Sequence, residues 1–309
     1  MKKGKIELCD QKIAKSLFTS ARNKAKPRDI GFTDIDKKKY ILKTEDVEGS
    51  LSKMSEYQFY EKVSKKIYKG GFELNLQVPI TYKVCKDAEN RSDPSKKKDQ
   101  IFYLFHVLKG DLSHKVITSI PIKEAINMYQ QYLLSLYFLN HKLGYYHNDF
   151  FTNYKLMQNR SLFNINNFMY MKNPKKTNDV LKVDGMECKV GKYRGMIIDF
   201  GLCTKFPNDY GYKLKVFYGI ISLRLFYRFK YYSEMFLVFI LLYHNYVGDF
   251  RLYQIKNYYQ FFESKMYGKQ TLKDFDRSVY KNFHLFFDKE EMKRIKEGKK
   301  QYKTSSSKS

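Results

Sequence analysis

Between Ile122 and Leu143 apolar residues recur every three or four positions, at Ile126, Tyr129, Leu133, Leu136 and Leu143, with Leu134, Tyr137 and Phe138 broadening the stripe. That period predicts a long, largely buried helix. Gly144 stands where a helix C-cap is expected. Upstream the pattern changes to strands: KYILK (Lys39–Lys43) is compact and ends in a lysine, Phe72–Cys85 alternates, and IFYLFHVL (Ile101–Leu108) is continuously apolar. Between the first two, SEYQFYEKVSKKI (Ser55–Ile67) places Tyr60, Val63 and Ile67 on one face, which predicts an amphipathic helix capped by Ser52 or Ser55 and stopped at Gly70 and Gly71. The run Lys86–Gln100 has almost no apolar residues and reads as an exposed loop.

After Gly144 the chain enters a short polar cluster, YYHNDFFTN, and Lys155–Gly195 then reads as a β-rich insertion with a Lys- and Asn-rich tip around Lys172–Asp179. GMIIDFG closes it as a strand and turn. Beyond Phe206, Tyr212–Phe229 and Tyr231–Tyr246 carry dense apolar faces and predict helices, with weaker ones to about Arg294. The basic, Ser-rich end, KEGKKQYKTSSSKS, can bury nothing and is expected to be disordered.

Composition narrows the picture little. The 309 residues are 43% hydrophobic and 17% aromatic, ample for a buried core. A formal charge of +26 generates a long-range field that draws nucleic acid, phosphorylated ligands, anionic membrane or acidic proteins without choosing among them, and the basic runs look dispersed. Cys9, Cys85, Cys188 and Cys203 show no CxxC pair, so four reduced thiols in a cytoplasmic or nuclear compartment are expected. The most apolar run, Met235–Tyr243, is far short of the roughly 20 residues that span a bilayer.

Chemistry enters with four residues, Lys43, Glu56, Asp149 and Asp199. Phosphoryl transfer from ATP needs a cation on the phosphates, a partner fixing that cation, a carboxylate beside the attacking hydroxyl and a carboxylate on magnesium. The chain offers these in the order strand lysine, helix glutamate, loop aspartate, strand-end aspartate. This order resembles the protein-kinase superfamily: KYILK is similar to the VAIK-type strand, Glu56 to the helix glutamate, HND to the HRD-type catalytic loop and IIDFG to the DFG loop. IFYLFHVLKGDL is similar to the strand leading into the second lobe, and HND with a long insertion before IIDFG resembles the serine/threonine kinase-like proteins of large double-stranded DNA viruses.

The resemblance implies an α+β, two-lobed protein-kinase-like fold, with a β-rich lobe over 1–108, a helical lobe over 109–294 and a basic tail over 295–309. It implies transfer of the ATP γ-phosphate to a protein serine or threonine in the host-cell cytoplasm or virion, on a substrate that is acidic or nucleic-acid-associated. Lys43, held by Glu56, would bind the phosphates, Asp149 would take the hydroxyl proton, and Asp199 with Asn153 would hold Mg2+. The sequence departs from the family at two points. Its catalytic-loop asparagine lies five residues after the aspartate, which here is Tyr154, whereas Asn153 lies four after; and the stretch before Lys43 has Gly31 in place of a glycine-rich loop. A catalytically impaired pseudokinase scaffold is therefore the alternative, and a nucleic-acid-binding protein a third. Asp209 is expected to open the central helix of the second lobe and bond back to the catalytic loop.

Overall fold

The structure, a computed structural model, describes residues 8–9, 30–35, 37–47, 56–89, 97–112, 114–150, 167–174, 179–205, 230–231, 233–247, 255–266 and 270–287. It is a mixed α and β protein whose chain divides into two compact units, Met1–Lys109 with Ile198–Cys203, and Gly110–Ile197 with Thr204–Ser309. The predicted helix at Tyr212–Phe229, the C-terminal tail, Asn153, Tyr154 and Asp209 lie outside the described residues.

The first unit is built on a four-stranded antiparallel sheet, β1 (Ile30–Ile35), β2 (Lys38–Asp46), β3 (Thr81–Glu89) and β4 (Lys97–His106), in the order β1-β2-β4-β3. β3 and β4 continue into the polar run expected as loop, because cross-strand pairing to Glu89↔Lys97 compensates for its lack of apolar residues. Helix α1 (Glu56–Gly70) follows the 3–4 spacing of its sequence and buries Phe59, Tyr60, Val63 and Ile67. Gly71, at φ 75°, ends it in the left-handed conformation that glycine adopts without strain. Aromatic pairs join helix to sheet, Tyr60 with Tyr103 at 5.9 Å and Tyr57 with Tyr82 at 5.5 Å between ring centroids.

Leu42, Phe102, Leu104 and Cys85 form a second apolar cluster, sealed by Leu8. Cys9 and Cys85 are joined by a disulfide, so the expectation of four reduced thiols is corrected: Cys188 and Cys203, both buried, are the two that remain thiols. Sequence spacing missed this pair because the fold, across 76 residues, and not local spacing, brings the two together.

The second unit is organised by the predicted long helix. Helix α3 (Ile122–Phe138) follows a short α2 (His114–Ser119) and ends in a single π turn, Leu139–Leu143, closed by Gly144 at φ 75°. β5 (Gly110–Asp111), β7 (Phe168–Lys172) and β10 (Tyr193–Ile197) form a sheet in the order β10-β7-β5. β6 (Tyr145–Tyr146) pairs with β11 (Thr204–Lys205), and β8 (Val180–Val183) with β9 (Met186–Lys189). Helices α4 (Glu234–Val247), α5 (Ile255–Ser264) and α6 (Leu272–Asn282) complete it. α4 is buried on nearly every side, in keeping with its uninterrupted apolar sequence.

β10 is an edge strand, and α3 satisfies its outer edge with side chains. Gly191 N–H donates to Asn127 Oδ1 at 2.8 Å, Lys192 N–H to Glu124 Oε2 at 3.0 Å and Gly195 N–H to Gln131 Oε1 at 3.0 Å, while the Gln131 amide donates to the Tyr193 carbonyl at 2.9 Å. The close approach leaves no room at Gly195, where a Cβ would stand 2.7 Å from the Tyr132 ring. That ring cannot easily retreat, since its hydroxyl donates to the Met169 carbonyl at 2.6 Å. Gly195→Ala is therefore expected to destabilise the protein by about 1–3 kcal/mol, read as a lowered melting temperature. An unchanged melt would mean that the helix and strand separate freely.

The β8–β9 turn is fixed by charge. Asp184 meets Lys142 and, at 2.7 Å, Lys273, accepts from the Tyr137 hydroxyl at 3.2 Å, and has Arg277 at 3.8 Å. Burial works against its ionisation, but hydrogen bonds from Lys142 and Lys273 and their charge outweigh it and hold the carboxyl down at about 2.

Candidate active site

Lys43 sits on β2, in register with Tyr103 of β4. Its ammonium lies 2.5 Å from Glu56 Oε2, on the first turn of α1, and 3.0 Å from Asp199 Oδ1. The structure thus brings together three of the five residues singled out in the sequence, and all three belong to the first unit. Burial alone would lower the Lys43 pKa, but the charges of Glu56 and Asp199 and their hydrogen bonds override it, holding the pKa above its ordinary value. The lysine is a fixed cation at any physiological pH.

Each member is positioned by packing. The Glu56 side chain is 4% exposed, and its other oxygen accepts from the Tyr60 hydroxyl one helical turn on, at 2.9 Å. The ring of Tyr60, itself fully buried, lies 6.1 Å from Phe200 and so links the glutamate to the residue after Asp199. Phe200 stacks on Phe59 at 4.7 Å with an interplanar angle of 6°. Two consecutive aromatics of α1 therefore anchor the IIDFG turn. Asp199 adopts a left-handed backbone, φ 65° and ψ 75°, an uncommon conformation for a non-glycine residue that packing of Phe200 holds in place. Its side chain remains 45% exposed.

Glu45, two residues beyond Lys43, accepts from the Tyr103 hydroxyl at 2.7 Å. Burial raises its carboxyl pKa while that hydrogen bond pulls the other way. The sequence marks Tyr60 only as an apolar position and does not single out Glu45 or Tyr103. The Glu56–Tyr60 spacing of four on a helix was a usable signal, whereas the Glu45–Tyr103 pair depends on strand register, which the sequence does not show.

In the second unit, Asp149 follows β6. One amide does the work there: Asn167 Nδ2 donates to the Asp149 carbonyl at 2.7 Å and to its carboxylate Oδ2 at 3.0 Å. Asn167 is buried and immediately precedes β7. Asn153 and Tyr154 lie outside the described residues, so the asparagine that the structure brings to Asp149 is one that the sequence reading never weighed. It stands 18 positions on, beyond any fixed spacing rule.

The loop before Asp149 is held by Glu234, the first residue of α4. Its two carboxylate oxygens accept from His147 N–H at 3.1 Å, Asn148 N–H at 2.8 Å and Asn140 Nδ2 at 2.9 Å. Asn148 needs the help, having φ 63°, and its side chain donates to Thr204 Oγ1 at 2.6 Å. The Glu234 carboxyl pKa is raised by burial, with these three donors pulling it back. Glu234 thus opens a helix and bonds back to the loop; Asp209, of which such an arrangement was expected, lies outside the described residues. His147 is fully buried and stacks on Phe150 at 4.2 Å, and Phe150 on Phe168 at 4.7 Å.

Among the described residues no three His, Cys, Asp or Glu side chains converge to hold a metal unaided, and no helix is long and apolar enough to cross a membrane. No family model matches the chain, and no curated protein matches it.

Proposed function

We propose that the chain is an ATP-dependent serine/threonine protein kinase with the two-lobed kinase architecture. The observation that carries this is the Lys43 ammonium shared between Glu56 and Asp199, a fixed cation beside a half-exposed carboxylate, which is what nucleotide phosphates and their magnesium require. Magnesium fits these residues, because it is bound through one or two carboxylates with phosphate oxygens and water completing its shell. When bound, it neutralises charge on the phosphates.

The chain's residues do the rest. Lys43 binds the α- and β-phosphates, and Glu56, held by Tyr60, orients Lys43. Asp199 is the carboxylate toward the metal. Asp149 accepts the proton of the substrate hydroxyl as its oxygen bonds to the γ-phosphorus and the bond to the β-phosphate oxygen breaks, releasing ADP. Asn167 orients Asp149; Asn153, the expected partner of Asp199 on Mg2+, lies outside the described residues. The +26 charge favours an acidic or nucleic-acid-associated substrate protein.

The test is radiolabel transfer from ATP with Mg2+ to acidic and basic test proteins, beside a thermal-shift titration with ATP and Mg2+. Asp149→Asn is expected to keep the nucleotide-dependent shift and to lose transfer by at least about 100-fold. Undiminished transfer in that variant would overturn the assignment. The sequence before Lys43 lacks a glycine-rich phosphate loop, which favours a pseudokinase scaffold as the second reading; a nucleotide-dependent shift with no transfer by the wild type is its signature.

A further inference from the structure

Helix α1 presents a second face that the site does not use. Away from Phe59, Tyr60, Val63 and Ile67 it exposes Lys62, Lys65, Lys66 and Lys69. Spaced i, i+3, i+4 and i+7, these four fall in one stripe about 100° wide. No ion pair engages any of them among the described residues. The nearest acids on the helix and its following turn are Glu61, which accepts from the Tyr57 hydroxyl at 3.1 Å, and Glu73, whose charge reaches Tyr68. Charge that looked dispersed along the chain is gathered here on one surface.

Two features of the stripe select an occupant. At 1.5 Å per residue, Lys62 to Lys69 spans about 10 Å, or about 3.5 Å of axis per positive charge. A stacked nucleic-acid strand carries one phosphate per about 3.4 Å. Tyr68 stands beside Lys65 and Lys69 and is 52% exposed, the most exposed of the large hydrophobic residues described. An aromatic face flanked by lysines is the combination that holds single strands, the base stacking on the ring while ammonium groups meet the phosphates. An acidic peptide has no use for the exposed ring.

We infer that the outer face of α1, through Lys62, Lys65, Lys66, Lys69 and Tyr68, is a docking surface for single-stranded nucleic acid. The surface is independent of phosphotransfer, since its side chains point away from Glu56. Binding there is expected to be sequence-tolerant and strongly salt-dependent.

The experiment is fluorescence-anisotropy titration of the full chain with a labelled oligodeoxythymidylate across a salt series. A variant with the four lysines changed to Gln is compared with one carrying Lys97→Gln, Lys123→Gln, Lys172→Gln and Lys189→Gln, exposed lysines from elsewhere in the fold. Both variants lose the same net charge, so the long-range field falls equally. Four contacts on a single strand contribute a slope of about −2.8 in log K against log salt; the α1 variant is expected to lose most of this and the control little. Tyr68→Ala is expected to weaken the single strand more than a duplex of the same length. Equal losses in the two lysine variants would overturn the inference, as would tighter binding of duplex than of single strand, or polyglutamate competing as well as the oligonucleotide. Single Lys→Gln variants, each expected to remove about 0.7 of the slope, serve if the quadruple variant does not fold.

Discussion

Lys43→Met is expected to abolish phosphotransfer and to destabilise the protein, and the two losses should come apart in a double variant. On the proposed function, removing the ammonium takes away the cation on the phosphates, an electrostatic contribution worth about 100- to 1000-fold in rate. It also leaves Glu56, 4% exposed, as a carboxylate without its counter-charge. Stranding one member of a buried pair costs about 3–5 kcal/mol, and the cost falls on Glu56 rather than Asp199, whose side chain is 45% exposed and solvated. The value should lie toward the lower end, because the Lys43 side chain is itself 20% exposed. Adding Glu56→Gln to Lys43→Met removes the stranded charge while keeping an acceptor for the Tyr60 hydroxyl, so most of the stability should return and none of the transfer. Chemical denaturation of the two single variants and the double, as a cycle, measures the coupling. Additive stability losses would show that the pair is held by its surroundings rather than by its charges.

What the sequence disclosed follows from which interactions are periodic and which are not. Helices α3 and α1 were legible because apolar positions repeat every three or four residues along them, and strand β4 because it is an unbroken apolar run of strand length. Lys43, Glu56 and Asp199 were legible because their chemical types are rare combinations in a fixed order, and the structure brings the three side chains together. The residues that hold them were less so. Tyr60 is one turn from Glu56 on a helix already predicted, and only its apolar role was noticed. The Cys9–Cys85 disulfide and the Glu45–Tyr103 hydrogen bond span 76 and 58 residues, and nothing local marks them. Asn167 was hidden for a different reason. The sequence pattern directs attention four or five residues after Asp149, whereas the asparagine that bonds to its carbonyl and carboxylate stands 18 positions away.

Glu234→Gln separates the roles of shape and charge in the loop that carries Asp149. Each carboxylate oxygen is occupied as an acceptor, Oε1 by Asn148 N–H and Oε2 by His147 N–H and the Asn140 amide. A glutamine of the same size offers one acceptor oxygen and one NH2 group. Whichever way it turns, an N–H donor faces an N–H donor, and at least one buried backbone amide loses its partner. A buried donor left unsatisfied costs about 1–3 kcal/mol, and Asn148 already holds an uncommon left-handed backbone at φ 63°. The variant is expected to lose stability in that range and to exchange the amide hydrogens of His147 and Asn148 far faster than the wild type. Glu234→Ala should cost more, since the second acceptor and the packing go as well. Because α4 and the loop belong to the same unit, nucleotide binding at Lys43 should survive in Glu234→Gln while transfer falls. A variant with normal exchange at His147 and Asn148 would show that the loop keeps its shape without Glu234, and that the order of hydrogen bonds described here is a consequence of the fold rather than a cause of it.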